Sequence, residues 1–139
     1  MDLDEARAVV AAQHHAVLAT IRADGSPQLS PVLATVDAAG RVVISSRQTA
    51  YKVRNLRRDP RATVCVLPDG FFQVSGPWIQ VEGTATIVDL PDAMEPLVEY
   101  YRRVNGEHPD WADYRAAMER DRRVLIQIEL TRAGPDRAG

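Results

Sequence analysis

The spacing of hydrophobic positions changes several times along the chain, and each change marks an element. Residues 3–13 place Leu3, Ala6, Val9, Val10 and Gln13 at helical spacing, which predicts a short amphipathic opening helix. After His14-His15, the run from Ala16 to Arg22 reads as a strand. Asp24-Gly25 and Pro27 supply turn chemistry, residues 28–36 a returning strand, residues 37–40 a second turn, and residues 41–46 a third strand. Three strands joined by tight turns predict an antiparallel meander. Thr49 is expected to cap a helix over about 50–58, with Ala50, Val53 and Leu56 inward and Asp59-Pro60 ending it.

Residues 62–67 read as a short buried strand with Cys65 as a small core residue. A long β stretch runs from Phe71 to Asp89 and is interrupted at Gly76-Pro77. Within it Trp78, Gln80, Glu82 and Thr84 share one face, and Ile79, Val81 and Gly83 the other. Residues 92–104 place Met94, Leu97, Val98 and Tyr101 at helical spacing, and Asn105-Gly106 stops that helix. Asp110 is expected to cap the next helix, which carries Trp111, Tyr114 and Met118 inward. From Val124 to Leu130, Val124, Ile126, Ile128 and Leu130 alternate with Leu125, Gln127 and Glu129 as a closing strand, leaving 132–139 as a frayed tail. The order lacks regular strand–helix alternation. It predicts a mainly β, α+β chain: a closed or partly closed antiparallel barrel of six or so strands with peripheral helices.

Length and composition narrow the picture. At 139 residues, 45% of them hydrophobic, the chain suits a single domain over 1–139 with its core within about 10–130. A formal charge of −2 argues against a general nucleic-acid binder. No apolar run spans a bilayer, and the acidic start (Asp2, Asp4, Glu5) is unlike a signal peptide, so the expected setting is cytoplasmic, with no membrane partner. One cysteine and scattered histidines (His14, His15, His108) predict no metal site. The basic residues comprise sixteen arginines and one lysine, Lys52. Either a GC-rich genome replaced the other lysines, or position 52 requires a compact ammonium.

The strongest local signal is residues 47–61, with six basic residues and one acidic residue. The predicted helix begins inside this cluster, and a helix N-terminus offers free N–H groups to a phosphate. Thr49 and Lys52 stand at that end, whereas Arg57 and Arg58 are read as complementing the C-terminal dipole. No nucleophile or acid–base constellation accompanies them, so no catalytic side chain is identified.

Leu18-Ala19-Thr20-Ile21-Arg22-Ala23-Asp24-Gly25-Ser26-Pro27, then Lys52-Val53-Arg54-Asn55-Leu56 and Arg58-Asp59-Pro60-Arg61, resemble the pyridoxamine 5′-phosphate oxidase-like flavin and deazaflavin proteins. Val81-Glu82-Gly83-Thr84-Ala85 and the segment from Gly106 to Trp111 fit the same group. Within it the chain is most similar to short actinobacterial enzymes that use the deazaflavin coenzyme F420. The resemblance implies an FMN-binding-like split β-barrel, a homodimer with cofactor sites at the subunit interface, and hydride transfer from reduced F420 to a small electron-poor acceptor. Quinones, enones, nitro compounds and bilin-type tetrapyrroles are the acceptor classes implied; an FMN-dependent oxidoreductase and a haem- or cofactor-binding non-enzyme are the alternatives.

By position, Lys52 is expected at the cofactor phosphate, with Thr49, Ala50 and Tyr51 supplying backbone or hydroxyl donors. Asn55 is expected to orient the basic helix, and Gln28, Ser30, Pro31 and Val32 to lie on the ring-binding strand. Related chains often carry a second basic residue where this one has Ala50, a gap that Arg47 or Arg54 is positioned to fill. Trp78 is read equally as lining the ring or substrate cleft and as core. Tyr100, Tyr101, Trp111 and Tyr114 are read as partner contacts or local packing.

Overall fold

In a computed structural model, which describes residues 1–67 and 78–135, helix α1 (Leu3–Ala12) leads into strands β1 (His15–Ile21), β2 (Pro27–Leu33), β3 (Thr35–Val36) and β4 (Val42–Arg47). Helix α2 (Tyr51–Arg58) and strands β5 (Arg61–Val66) and β6 (Ile79–Val88) follow. Helices α3 (Met94–Asn105) and α4 (Trp111–Arg120) precede the closing strand β7 (Arg123–Gly134). Among the described residues, seven strands form one antiparallel sheet in the order β2-β1-β5-β6-β7-β4-β3. The sheet curls until the edge strand β2 touches β4, giving the expected split barrel with helices outside. The interruption expected at Gly76-Pro77 lies outside the described residues.

Local chemistry accounts for the ends of the elements. Gly25 holds φ +88° in the β1–β2 turn, where Asp24 Oδ1 accepts from Ser26 N (2.9 Å) and Ser26 Oγ (2.6 Å). Those two bonds hold the Asp24 carboxyl below its usual pKa. Gly106 (φ +81°) ends α3, and Asp110 caps α4 by accepting from Asp113 N at 3.1 Å.

The expected meander does not form. Ala34 is fully buried and donates its N–H to His14 O (2.8 Å), so the strand anticipated over 28–36 breaks there. Beyond the break, β3 pairs with β4, and β4 pairs with β7 rather than with β2. Periodicity identified the strands, but pairing across the sheet is decided by long-range burial. The Thr49 cap also fails. Helix α2 starts at Tyr51 with Ala50 at its N-cap, no side chain caps it, and Thr49 is exposed.

The larger core lies within the curl and includes Leu18, Ile44, Val53, Val64, Val81, Ile126 and Ile128. A smaller one, Val43, Ala93, Leu97 and Leu125, lies under α3. Strands β4 and β7 are therefore buried on both faces, which explains the unbroken runs Val42-Val43-Ile44 and Val124-Leu125-Ile126. Leu125, grouped by alternation with Gln127 and Glu129, is instead core. Cys65 points away from the interior that holds Val64 and Val66, and burial raises its thiol pKa, the reverse of a reactive thiolate. The tail corrects in the other direction: Arg132 to Gly134 pair with Glu82 to Gln80, so β7 outruns the expected strand.

The β6–β7 register shifts between Glu82 and Gly83, where Thr131 is the extra residue on β7. A Cβ on Gly83 would stand 2.1 Å from Glu129 O, so only glycine allows this approach. Gly83→Ala is expected to cost about 2 kcal/mol through strand displacement. Urea unfolding checks this, with Gly25→Ala as the comparison that reports left-handed backbone strain at φ +88° without a clash, since its Cβ meets nothing within 4 Å.

Candidate functional site

Helix α2 is short and strongly amphipathic. Val53 and Leu56 bury one side, which leaves the remaining positions to face the β1–β2 hairpin, β4 and solvent. Asn55, only 6% exposed, anchors the hairpin side. Its Nδ2 donates to Thr20 Oγ1 (3.1 Å) and Gln28 Oε1 (2.8 Å), and its Oδ1 accepts from Arg58 Nη2 (3.1 Å). Arg58 Nη2 also donates to Ile21 O at 2.6 Å. A buried amide satisfied on both ends fixes the helix against two strands, since leaving either end unpaired costs about 1–3 kcal/mol. Arg58 thus clamps the hairpin, correcting its reading as a solvated dipole partner.

Over this network opens a cavity of about 390 Å³, with Arg22, Gln28, Tyr51, Arg54, Asn55 and Arg58 among its walls. Tyr51 is 68% exposed, and the Arg54 guanidinium lies 6.0 Å from its ring centroid. Of the six basic residues in 47–61, Arg57 pairs with Asp89 (2.6 Å) and Arg61 with Asp59 (2.7 Å). The Arg61 hydrogen bond lowers the Asp59 carboxyl to about 2. Among the described residues, Arg47, Lys52, Arg54, Arg58 and Arg22 form no ion pair. The result is a positively charged mouth around α2.

Lys52 is half-buried, and its pKa is lowered first by burial and then by the charge of Arg123. A nearby anion opposes both effects. Gln28, Ser30 and Val32 are half-buried along the same face of β2, with Gln28 reaching Asn55. Pro31 faces the opposite, exposed side with Leu29. The Ala50 N–H donates to Arg47 O (3.1 Å) and is taken, whereas Tyr51 and Lys52 stand in the uncapped first turn. Trp78 lies just before β6, past the Val66–Ile79 rung at the far end of β5 from Arg61, on the order of 16 Å along the strand. The structure does not bring it to α2 within one chain; it lines a small separate cavity with Gln80 and Arg132. Arg123 was missed, its only sequence signal being the Arg122-Arg123 pair before the closing strand.

The aromatic segment is mostly local packing: Tyr101, His108, Trp111 and Tyr114 rings pack on one another with centroids 5.0–5.8 Å apart. Tyr114 donates to Leu97 O (2.8 Å), and its phenol is pushed up to about 12, chiefly by burial. Tyr100 stands apart and donates to Leu33 O (2.8 Å), tying α3 to the end of β2.

The family model described as pyridoxamine 5′-phosphate oxidase matches residues 3–134. The chain belongs to the pyridoxamine 5′-phosphate oxidase family. Among solved structures it is similar to a conserved hypothetical protein from Mycobacterium tuberculosis, at 29% identity and TM-score 0.77, covering 96% of this chain and 82% of that one. A protein described as an F420 reductase shares 21% identity over 92% of this chain and 94% of its own, with TM-score 0.69. A heme binding protein from Mycobacterium smegmatis shares 22%, with TM-score 0.71, over 97% of this chain but 55% of its own. The last two likenesses concern the fold alone.

Members of the pyridoxamine 5′-phosphate oxidase family bind flavin-like cofactors, and this donor set fits such a group. It offers the Gln28 amide, held in place by Asn55, a hydroxyl at Ser30, and cations at Lys52 and around the cavity. No helix among the described residues is long and apolar enough to cross a membrane.

A pH dependence follows from Lys52. Its ammonium loses its proton below the usual 10.5, so anion binding is expected to weaken as pH rises through that lowered value. Without an anion, the unfolded chain holds the extra proton, and the Lys52 contribution to stability therefore rises over the same window. Sulfate binding measured from pH 7 to 10.5 on wild type and Lys52→Arg checks this, with the arginine variant expected to stay flat on the alkaline side.

Proposed function

We propose that this member of the pyridoxamine 5′-phosphate oxidase family is an F420-dependent oxidoreductase that delivers hydride to a small electron-poor organic acceptor. The supporting observation is the excess of unpaired cation around α2. Lys52 stands where a phosphate is expected, while Arg22, Arg54 and Arg58 beside the hairpin offer charge to a longer polyanion such as the phosphodiester and oligoglutamate tail of F420. Bound F420 supplies a two-electron hydride donor, and the protein's part is binding, orientation and exclusion of water. In this reading Lys52 and the first turn of α2 hold the phosphate, Asn55 fixes Gln28, and Gln28, Ser30 and Val32 face the ring. Pro31 contributes through its backbone alone.

The reading extends to a homodimer. Paired strands carry Leu33 and His15, Pro31, Val17 and Cys65, and Leu29, Ala19 and Thr63 on one outer face of the sheet. Leu29 is 66% exposed and Leu33 39%. A contiguous apolar sheet face of this kind suits a second copy of the chain. Trp78, on the same side of the sheet as Gln80 and Glu82, would border that contact and meet the partner's site. Light scattering is expected to give a dimer that Leu29→Asp converts to monomer; a monomeric wild type overturns the interface.

Titration of apo protein with F420 and with FMN tests the cofactor. F420 is expected to bind more tightly, and Lys52→Ala to weaken it roughly 10- to 100-fold, the scale of one hydrogen bond to a charged group. Preference for FMN would replace this reading by the FMN-dependent one. Binding of neither would leave haem as the next ligand to test.

A further inference from the structure

Arg123 stands directly opposite Arg47 on the β4–β7 ladder. Like charges in that relation repel. The turn that follows Arg47 is tied to the same place, with Gln48 N donating to Arg122 O (2.9 Å) and Ala50 N to Arg47 O (3.1 Å). It delivers Lys52 into the uncapped first turn of α2, within the electrostatic reach of Arg123. Arg47 and Arg123 thus stand side by side at the end of the β4–β7 ladder, with Lys52 in the field of Arg123.

Among the described residues no carboxylate forms an ion pair with any of the three. Among the described residues Arg123 forms no ion pair, and its Nε is buried without a hydrogen-bond partner. Asp89 lines a small cavity with Gln48, Arg122 and Arg123, but Arg57 engages its carboxylate at 2.6 Å. Tyr100 and Tyr114 lie in the field of Arg123, yet both hydroxyls donate to backbone carbonyls, Leu33 O and Leu97 O. A buried guanidinium N–H without an acceptor is costly, and a second and third cation beside it raise that cost. An oxyanion with several acceptor oxygens relieves all of these at once.

We propose that Arg123 and Lys52 form a two-cation seat for a phosphate group at the first turn of α2, so that the closing strand supplies half of the anion site. Arg123 is then the second cation that the resemblance implies beside Lys52, in preference to Arg47 or Arg54. This deepens the cofactor reading and rests on it only for the identity of the molecule that carries the phosphate.

Inorganic phosphate is the first probe, read by calorimetry and by thermal shift at constant ionic strength against chloride. Wild type is expected to bind phosphate and to be stabilised by it. Arg123→Gln is expected to weaken binding roughly 10- to 100-fold, and Arg123→Lys, which keeps the charge but lacks Nε, to fall between them. The second probe compares FMN with riboflavin, and F420 with its dephosphorylated ring-and-ribityl fragment. The affinity ratio within each pair is expected to collapse in the variants, while affinity for the phosphate-free member stays constant. A merely structural arginine would lower both members equally.

The seat is overturned if wild type shows no phosphate response, if Arg123→Gln binds phosphate as wild type does, or if the ratios are unchanged. Arg123-dependent phosphate binding without affinity for F420 or FMN would leave the seat standing and remove the cofactor reading. Melting in chloride alone reports the folding of each variant. If Arg123→Gln does not fold, Arg123→Lys carries the test.

Discussion

Strand β7 is paired on both sides, to β6 from Leu125 to Gly134 and to β4 from Arg123 to Ile128. Among the described residues it is the strand that joins β2-β1-β5-β6 to β4-β3. Helix α2 depends on both sides of that join: it follows β4, while the Asn55 network and its packing hold it against β1, β2 and β6. Arg123 reaches the turn before the helix only once β7 has paired with β4. A site completed by the last strand in the chain exists only in the finished fold. Pairings this distant in sequence make folding slow relative to local hairpin formation.

Charge around α2 divides into two kinds. Arg57 with Asp89 and Arg61 with Asp59 are surface ion pairs, which contribute little to stability and settle the C-terminal end of the helix. The cations at the other end and along the hairpin have no such partners. Natural sequences seldom leave so many positive groups together unless a ligand answers them. The lone lysine sits among them half-buried, where a compact ammonium differs most from a guanidinium.

Most elements were legible in the sequence because burial imposes a period on each strand and helix. Their partners were not. Nothing in residues 28–36 announces that Ala34 will be buried and will turn the chain away from β1. Nothing in Val42-Val43-Ile44 names β7 as its neighbour. The site was legible in part: Lys52, Asn55 and Gln28 follow from the resemblance and do gather at α2. The bond from Asn55 to Gln28 spans 27 positions and has no local signature. Thr49 looked like a cap by residue type, but the bond from Ala50 N to Arg47 O closes that turn without it. Arg123 was hidden because one arginine among sixteen carries no signal until the cross-strand register sets it opposite Arg47.

The edge strand β2 carries Pro27 and Pro31, both on its exposed face. Proline has no N–H, and on an edge strand its nitrogen is accommodated on the side away from the ladder. Residues two apart present their backbone groups on the same side, so the free margin of β2 keeps donors only at Leu29 and Leu33 on the proline-bearing row. A foreign strand seeking to extend the sheet would find every other donor missing. The same segment that displays an apolar face is thereby protected from fibril-like growth along its margin.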